Sequence, residues 1–283
     1  MSKNKFTPIE IYQVKDKSDN YTIEKDLNMF SLPCRLGLFG SSGSGKTSLL
    51  TNLMCIHYDK EFKGEDIFIV SSCVNQDLKL KAIIKYKEIP DSNIFNGFNE
   101  GRMMALYEHL MEEYEKAHED EKQKPKHTIV IFDDIGATGE LRCKHDGMLS
   151  MLVNVGRKAL VSCIFLAQKF TQISPIIRTQ LNGAAFFIHS KYEVEQIMKQ
   201  MCFMDTKTFA KQFHYATHLK DPDGNEITFN KKKPSQGMFI FNKTNPTGKY
   251  YINNFKYLIE YDHVDKKNHT VIDDTIHKEQ KLE

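Results

Sequence analysis

The chain has 283 residues, of which 40% are hydrophobic and 27% are charged, the balance of a globular protein with a sizeable core. Its 39 basic and 37 acidic side chains nearly cancel, so nucleic acid would have to be bound by local basic patches rather than by overall charge. No stretch is apolar enough to predict a membrane span, and the polar N-terminal residues do not resemble a secretory signal. The six cysteines form no C-x-x-C pair, which argues against a zinc site.

Apolar runs alternate with helical patterns over most of the chain, and this alternation predicts an α/β fold with a mostly parallel sheet and helices on both faces. The run at 128–132 is apolar at nearly every position, which is typical of a strand buried on both faces. The predicted strands span residues 34–39, 66–72, 93–98, 128–132, 160–167 and 184–189. The predicted helices span residues 47–57, 102–124, 145–155 and 175–181.

The pattern changes after about residue 191. Two helices are predicted at 192–201 and 205–217, and they are followed by a polar loop. Residues 237–242 and 249–255 are then predicted to be the two strands of a β-hairpin. From about residue 262 the chain is charged and poor in apolar residues, which predicts a flexible tail.

A glycine-rich sequence, GSSGSGKT, follows the first predicted strand and fits the phosphate-loop pattern G-x-x-x-x-G-K-[ST] in full. Its glycines allow backbone N–H groups to point at phosphate oxygens, and the following helix adds its positive N-terminal end. Lys46 would reach the β- and γ-phosphates, and the hydroxyl of Thr47 would be a ligand of Mg²⁺. We therefore expect ATP to be bound by Gly40, Ser41, Ser42, Gly43, Ser44, Gly45, Lys46, Thr47 and Ser48.

Two aspartates, Asp133 and Asp134, follow the apolar strand predicted at 128–132. Ligands in open α/β sheets bind at the carboxyl ends of strands, so both side chains are expected beside the phosphates. Asp133 would hold Mg²⁺, usually through water, and Asp134 would orient or deprotonate the attacking water. The alternative is a solvated pair of carboxylates in a turn, and the complete phosphate loop upstream makes it the weaker one.

The spacing of 87 residues between Lys46 and Asp133 has room for a helix, a strand and a further helix. A strand inserted between the two nucleotide-binding strands is the layout of additional-strand, RecA-like P-loop motor ATPases, whereas small-molecule kinases and GTPases usually place those strands side by side. Gln168, directly after the strand predicted at 160–167, would sense the γ-phosphate by a hydrogen bond. The alternative is an ordinary surface glutamine at a strand end.

A hydrolytic motor also needs a cation that stabilises charge on the transferring phosphoryl group, and a neighbouring subunit often supplies it. Arg157 and Arg178 are the candidates for this arginine finger. Arg157 lies just before a core strand, and Arg178 lies on a short predicted helix. Either arginine could instead be a surface salt-bridge partner.

The sequences GSSGSGKT, TIVIFDDI, NVGRKALVSCIFLAQ and PIIRTQLNGAAFF together resemble the FtsK/HerA superfamily of DNA-pumping ATPases. Within it the chain is most similar to the poxvirus-type genome-packaging ATPases of large DNA viruses, virophages and related elements. The acidic pair and the block from Gly156 to Arg178 carry this narrower match, and the resemblance covers about residues 36–188. One departure is Lys158, because the family often has histidine at that position.

The resemblance implies a homo-oligomeric ring that uses ATP and Mg²⁺ to move double-stranded DNA into a preformed capsid. It also implies contacts with capsid or portal proteins, and a place in the host-cell cytoplasm, a viral factory or the virion. The chain shows no room for a nuclease domain, so another protein would have to create the DNA ends.

Three other functions stay open at this stage. A cellular or plasmid-type DNA pump or helicase of the same superfamily would share the same motifs. An ATP-dependent switch or scaffold would not need a carboxylate that activates water. A nucleoside or nucleotide kinase would need an arginine-rich lid, which is not evident in the sequence.

Two basic stretches could grip DNA phosphates without reading bases, or could simply be solvated. They comprise Lys231, Lys232, Lys233, Lys243 and Lys249 in the first, and Lys79, Lys81, Lys85 and Lys87 in the second. For the chain as a whole we expect an N-terminal extension, a P-loop ATPase core, a unit of C-terminal helices and a hairpin, and a tail. The predicted boundaries are 1–33, 34–190, 191–261 and 262–283.

Overall fold

The structure is a computed structural model of the chain. It describes residues 20–25, 29–119, 123–134, 147–187, 190–201, 206–218, 239–242, 250–252, 257–259 and 271–272. Among the helices in these ranges, none is both long enough and apolar enough to cross a membrane.

A seven-stranded sheet forms the centre of the fold, with six parallel strands and one antiparallel strand at an edge. Its strands are β1 (Arg35–Phe39), β2 (Ile67–Ser71), β3 (Ile94–Asn96), β4 (Thr128–Asp133), β5 (Val161–Ala167), β6 (Gly183–Phe186) and β7 (Phe239–Asn242), and their spatial order is β3-β2-β4-β5-β1-β6-β7. A second, antiparallel sheet comprises β8 (Tyr250–Ile252), β9 (Tyr257–Ile259) and β10 (Val271–Ile272).

Seven α-helices lie in the described ranges. They are α1 (Lys46–Asn52), α2 (Leu78–Lys87), α3 (Glu100–Glu119), α4 (Met148–Asn154), α5 (Pro175–Gln180), α6 (Lys191–Met201) and α7 (Thr206–Thr217). A π-helical turn, Leu53–His57, continues α1. The helix α2 was not predicted from the sequence, although the side chain of Asp77 caps it by accepting from the N–H groups of Lys79 and Leu80.

The sheet has a hydrophobic core on each face, because alternate residues of its central strands point to opposite sides. Val130 and Phe132 of β4 pack in one core with residues of α3 to α7. Ile129 and Ile131 of the same strand pack in the other core, with residues of α1 and α2. These four side chains are fully buried. The predicted α/β fold with helices on both faces is therefore confirmed.

The strand between the two nucleotide-binding strands is β5, which lies beside β1 on one side and β4 on the other. The additional-strand layout is thus present. The interposed strand, however, follows the acidic strand in sequence and does not come from the segment between Lys46 and Asp133. The strands of that segment, β2 and β3, lie beyond β4. A parallel neighbour needs a crossover, so sequence order does not dictate strand order.

Among the described residues, no strand pairing joins the two strands of the hairpin predicted at 237–242 and 249–255, although β7 and β8 lie near each other. The strand β7 adds to the edge of the main sheet by pairing with β6, whereas β8 pairs with β9. Backbone groups at a sheet edge need partners, and β7 supplies them to β6.

Three other predictions concern the N-terminal extension, the C-terminal tail and the first basic stretch. Part of the predicted N-terminal extension packs into the core, where Phe30 and Leu32 are buried and Tyr58 donates its hydroxyl to the carbonyl of Phe30 at 2.8 Å. The flexible tail predicted at 262–283 lies outside the described residues except for β10. The basic cluster at Lys231–Lys233, with Lys243 and Lys249, also lies outside them.

Candidate nucleotide site

The phosphate loop connects β1 to α1, as the sequence predicted. Gly45 caps the helix with a φ of 111°, in the left-handed region that glycine adopts without strain. Gly40 is required for a different reason, because a Cβ there would lie 2.5 Å from the hydroxyl of Ser44 and 2.8 Å from Cβ of Phe187. The N–H of Gly40 donates to the carbonyl of Ala167 at 3.2 Å, which ties the loop to the end of β5.

Lys46 lies within this loop and close to the acidic pair. Its Nζ donates to the carbonyl oxygens of Gly40 at 2.7 Å and Ser41 at 3.1 Å. Burial lowers the pKa of Lys46, and the negative charges of Asp133 and Asp134 oppose that change. The ammonium group of Lys46 therefore lies near both the loop backbone and the two carboxylates.

The two carboxylates lie at the C-terminal end of β4. Asp133 is the last residue of the strand and is only 6% exposed, whereas Asp134 is half-buried and follows with a φ of 54°. Burial raises the pKa of Asp133 to about 6, and the nearby charges of Asp134 and Asp77 add to the rise.

The end of β2 contacts both carboxylates, a feature that the sequence reasoning missed. Ser71 donates from Oγ to Oδ2 of Asp133 at 3.3 Å, and Cys73 donates from Sγ to Oδ2 of Asp134 at 3.7 Å. The rule that identified the acidic pair, polar residues at the carboxyl end of a buried strand, also fits Ser71, which ends β2, and Ser72 and Cys73, which follow it.

An open cleft of about 490 Å³ brings these elements together. Gln168, exposed at the end of β5, lines the cleft, and its N–H donates to Oε1 of Gln172 at 2.9 Å. The first turn of α2 forms the opposite wall, where Nζ of Lys79 donates to Oγ of Ser48. The lining residues are Ser42, Gly43, Lys46, Thr47, Cys73, Gln76, Asp77, Leu78, Lys79, Asp133, Asp134 and Gln168.

The second basic stretch divides into three environments. Lys79 lines the nucleotide cleft. Lys81 and Lys85 are exposed on α2. Lys87 is buried and forms an ion pair with Asp59 at 2.7 Å, so it stabilises the fold locally and is not a DNA contact.

Neither candidate arginine lines the cleft among the described residues. Arg157 is exposed in a 3₁₀ turn before β5. It therefore lies where β5 begins, whereas the phosphate loop lies where that strand ends. Arg178 is only 9% exposed, and its guanidinium lies 4.9 Å from the ring centroid of Phe170. Burial lowers the pKa of Arg178, and the charge of Glu193 opposes that change.

A phosphate loop before α1, two carboxylates at the end of β4 and a polar residue at the end of the interposed β5 are the features of a P-loop ATPase. A sequence profile of the Poxvirus A32 protein family matches residues 24–217. The chain therefore belongs to that family, the genome-packaging ATPases of viruses that the motifs resemble.

Solved structures of similar fold share little sequence with the chain. The genome packaging NTPase B204 from Sulfolobus turreted icosahedral virus 2, in complex with ATP-gammaS, is 14% identical, with a TM-score of 0.48 over 78% of this chain and 96% of that one. The DNA-packaging ATPase B204 from Sulfolobus turreted icosahedral virus is 14% identical, with a TM-score of 0.49 over 78% and 97%. ATPases 2 and 3 of EssC from Geobacillus thermodenitrificans are 15% identical, with a TM-score of 0.47 over 75% and 40%. Comparison with curated protein sequences found no match.

Proposed function

We propose that this chain is the subunit of a homo-oligomeric ring that hydrolyses ATP and thereby moves double-stranded DNA into a preformed capsid. The observation that carries the proposal is that the candidate catalytic groups lie at two separate places. Lys46, Asp133, Asp134 and Gln168 line one cleft, whereas the exposed Arg157 lies at the opposite end of the strand β5. An ATPase built in this way needs a neighbour to complete it.

The donors in the cleft fit a hard cation. Thr47 offers a hydroxyl and Asp133 a carboxylate, and oxygen ligands are those that Mg²⁺ prefers. In the described part of the chain, no three or more His, Cys, Asp or Glu side chains form a group that could hold a metal. We assign Thr47 and Asp133 to Mg²⁺, with the phosphates of the nucleotide as its further ligands. When bound there, the ion would neutralise charge on the phosphates.

The remaining groups divide the chemistry between them. Lys46 binds the β- and γ-phosphates, and the backbone of residues 40–48 surrounds them. Asp134 accepts the proton of the attacking water or orients it. Gln168 lies at the end of β5, where it can donate to the γ-phosphate and report whether that phosphate is still present.

Arg157 supplies the stabilising cation to the site of an adjacent subunit. It is exposed, and the length of β5 separates it from the phosphate loop of its own chain. The guanidinium of Arg178, the other candidate, packs over the ring of Phe170. Arg178 would have to leave this buried position to reach a neighbour. The arrangement therefore favours Arg157 for this role.

The partners follow from the family. Duplex DNA is the cargo, and capsid or portal proteins hold the ring at the site of packaging. This work would take place in the host-cell cytoplasm or a viral factory, with the ATPase in some cases retained on the virion. Each of these partners is a proposal that rests on membership of the family.

A translocation assay tests the function directly. A third DNA strand is annealed to one end of a long duplex, and its release is followed while ATP is hydrolysed. We expect the wild-type protein to displace the third strand and the Asp134→Ala variant to bind ATP without displacing it. ATP hydrolysis by the wild-type protein with no displacement from any duplex would overturn the motor and favour an ATP-dependent switch.

A further inference from the structure

We propose that Ser71 and Cys73, at the end of β2, are positioning residues that hold the two carboxylates of the nucleotide site. Ser71 orients Asp133 for the cation, and Cys73 orients Asp134 for the attacking water. The inference rests on the proposed roles of these two aspartates. It adds a fourth strand, β2, to the strands β1, β4 and β5 that the sequence motifs identify.

The two hydrogen bonds of Ser71 show that its hydroxyl is the donor to Asp133. Its Oγ lies 3.1 Å from the backbone nitrogen of Cys73, and an N–H can only donate, so Oγ accepts there. The hydroxyl proton is then available for Oδ2 of Asp133 at 3.3 Å. Ser71 has no exposed surface, and its hydrogen bond to Asp133 is buried.

The sheet itself holds Ser71 in place. Ser71 and Asp133 are directly opposite each other in the parallel pairing of β2 with β4. Both residues end strands whose preceding apolar side chains, 67–70 in β2 and 129–132 in β4, are buried in the two cores. The donor therefore sits on a rigid element, which is what a ligand-orienting group requires.

Cys73 extends the same arrangement to the second carboxylate. Its Sγ lies 3.7 Å from Oδ2 of Asp134, and its backbone is held by the bond to Ser71. Asp134 has a left-handed backbone with a φ of 54°, a conformation that aspartate adopts more readily than most residues with a Cβ. The thiol contacts the carboxylate of this residue. Ser71 thus supports Asp133 directly and Asp134 through Cys73.

The first experiment measures the affinity of Mn²⁺, a paramagnetic substitute for Mg²⁺, in the presence of ADP by electron paramagnetic resonance. Loss of an outer-shell partner typically weakens metal affinity by about 10- to 100-fold. We expect Ser71→Ala to weaken Mn²⁺ binding by about 10-fold and Ser71→Thr, which keeps the hydroxyl, to restore it. The matched control is Ser162→Ala on β5, which is also fully buried and accepts from a backbone N–H, that of Cys34, at 3.1 Å.

The second experiment separates the two positioning residues. Cys73→Ala should lower kcat for ATP hydrolysis while leaving KM and Mn²⁺ affinity close to wild type, because Asp134 acts on water and not on the metal. This variant changes a side chain that is only half-buried, so it remains informative if Ser71→Ala folds poorly. Unchanged kcat in Cys73→Ala would overturn its part of the inference.

One further variant distinguishes failure of this inference from failure of the proposed site. Asp133→Asn should reduce Mn²⁺ affinity more than Ser71→Ala does. If Asp133→Asn reduces the affinity and Ser71→Ala does not, the positioning role of Ser71 is wrong and the proposed site stands. If neither variant changes the affinity, the assignment of Asp133 to the metal is wrong as well.

Discussion

Gly40 and Arg157 lie at opposite ends of the strand β5. The N–H of Gly40 bonds to the carbonyl of Ala167, the last residue of that strand, whereas Arg157 lies in the turn before its first residue, Val161. Seven residues of extended strand cover roughly 20 Å. Arg157 is therefore remote from the phosphate loop of its own chain, and its side chain is exposed.

Mixing experiments test whether Arg157 acts on the adjacent subunit. We expect Arg157→Ala to lower kcat by about 10³-fold, the scale of a lost arginine finger, and Asp134→Ala to be equally inactive. A mixture of the two should regain activity, since some interfaces then combine an intact Asp134 with an intact Arg157. No recovery in mixtures that assemble would contradict the shared site.

Two further variants are controls for the mixing experiment. Lys158→Ala removes an exposed charge next to Arg157 and should leave kcat near wild type. Arg178→Ala removes a buried guanidinium that packs over Phe170. Its main effect should be a lower melting temperature, and Asp134→Ala subunits should not rescue it.

Lys46→Ala should abolish ATP turnover while leaving the fold intact. The side chain bonds only to carbonyls of its own loop, so the substitution removes no core contact. Hydrolysis and binding of a fluorescent ATP analogue should both be measured, with thermal unfolding as the check on folding. Turnover at the wild-type rate would refute the assignment of the phosphate site.

Asp133→Asn should stabilise the metal-free protein at neutral pH. The pKa of Asp133 is about 6 in the folded state and 3.8 as its ordinary value, so between these pH values the folded chain binds more protons than the unfolded chain. The contribution of this group to the free energy of unfolding therefore falls as pH rises from about 4 to about 6. A shift of about two pH units corresponds to at most about 3 kcal/mol at pH 7.

Denaturant unfolding at pH 4 and pH 7 without metal checks this prediction. The gain in Asp133→Asn should be present at pH 7 and largely absent at pH 4, where wild-type Asp133 is protonated. Asp91→Asn, at an exposed position, serves as the control. A variant less stable than wild type at pH 7 would show that Asp133 is not under electrostatic strain.

Lys79→Ala should weaken ATP binding by about fivefold, the effect of losing one partly solvated charge contact of about 1 kcal/mol. Lys79 lines the cleft and contacts Ser48, whereas Lys81 and Lys85 on the same helix are exposed and do not line it. Lys81→Ala and Lys85→Ala should therefore leave the ATP affinity unchanged. If all three substitutions instead weaken duplex DNA binding alone, the stretch is a DNA contact.

The phosphate loop was predictable because the residues that define it are adjacent in the sequence. Glycines, Lys46 and Thr47 must be adjacent in sequence to surround a phosphate, and the flanking strand and helix are local patterns as well. The acidic pair was found for a similar reason, since an apolar strand immediately precedes it. Their assigned roles in binding and catalysis stay predictions.

What the sequence left out depends on contacts between distant segments. Ser71 and Asp133 are 62 residues apart, and only the pairing of β2 with β4 brings them together. The sequence likewise did not predict that β7 would pair with β6, a distant strand of the main sheet. The two candidate arginines also differ in burial, since Arg178 is buried and Arg157 is exposed. The spacing of the motifs could not reveal that difference.

The central claim is that this chain is a DNA-dependent motor whose active sites are shared between subunits. The most direct test is the rate of ATP hydrolysis per subunit, measured against protein concentration with and without long duplex DNA. We predict that the rate per subunit rises steeply with concentration and is stimulated further by duplex DNA. A rate that is constant with concentration and indifferent to DNA would contradict the account and indicate a self-contained nucleotide enzyme.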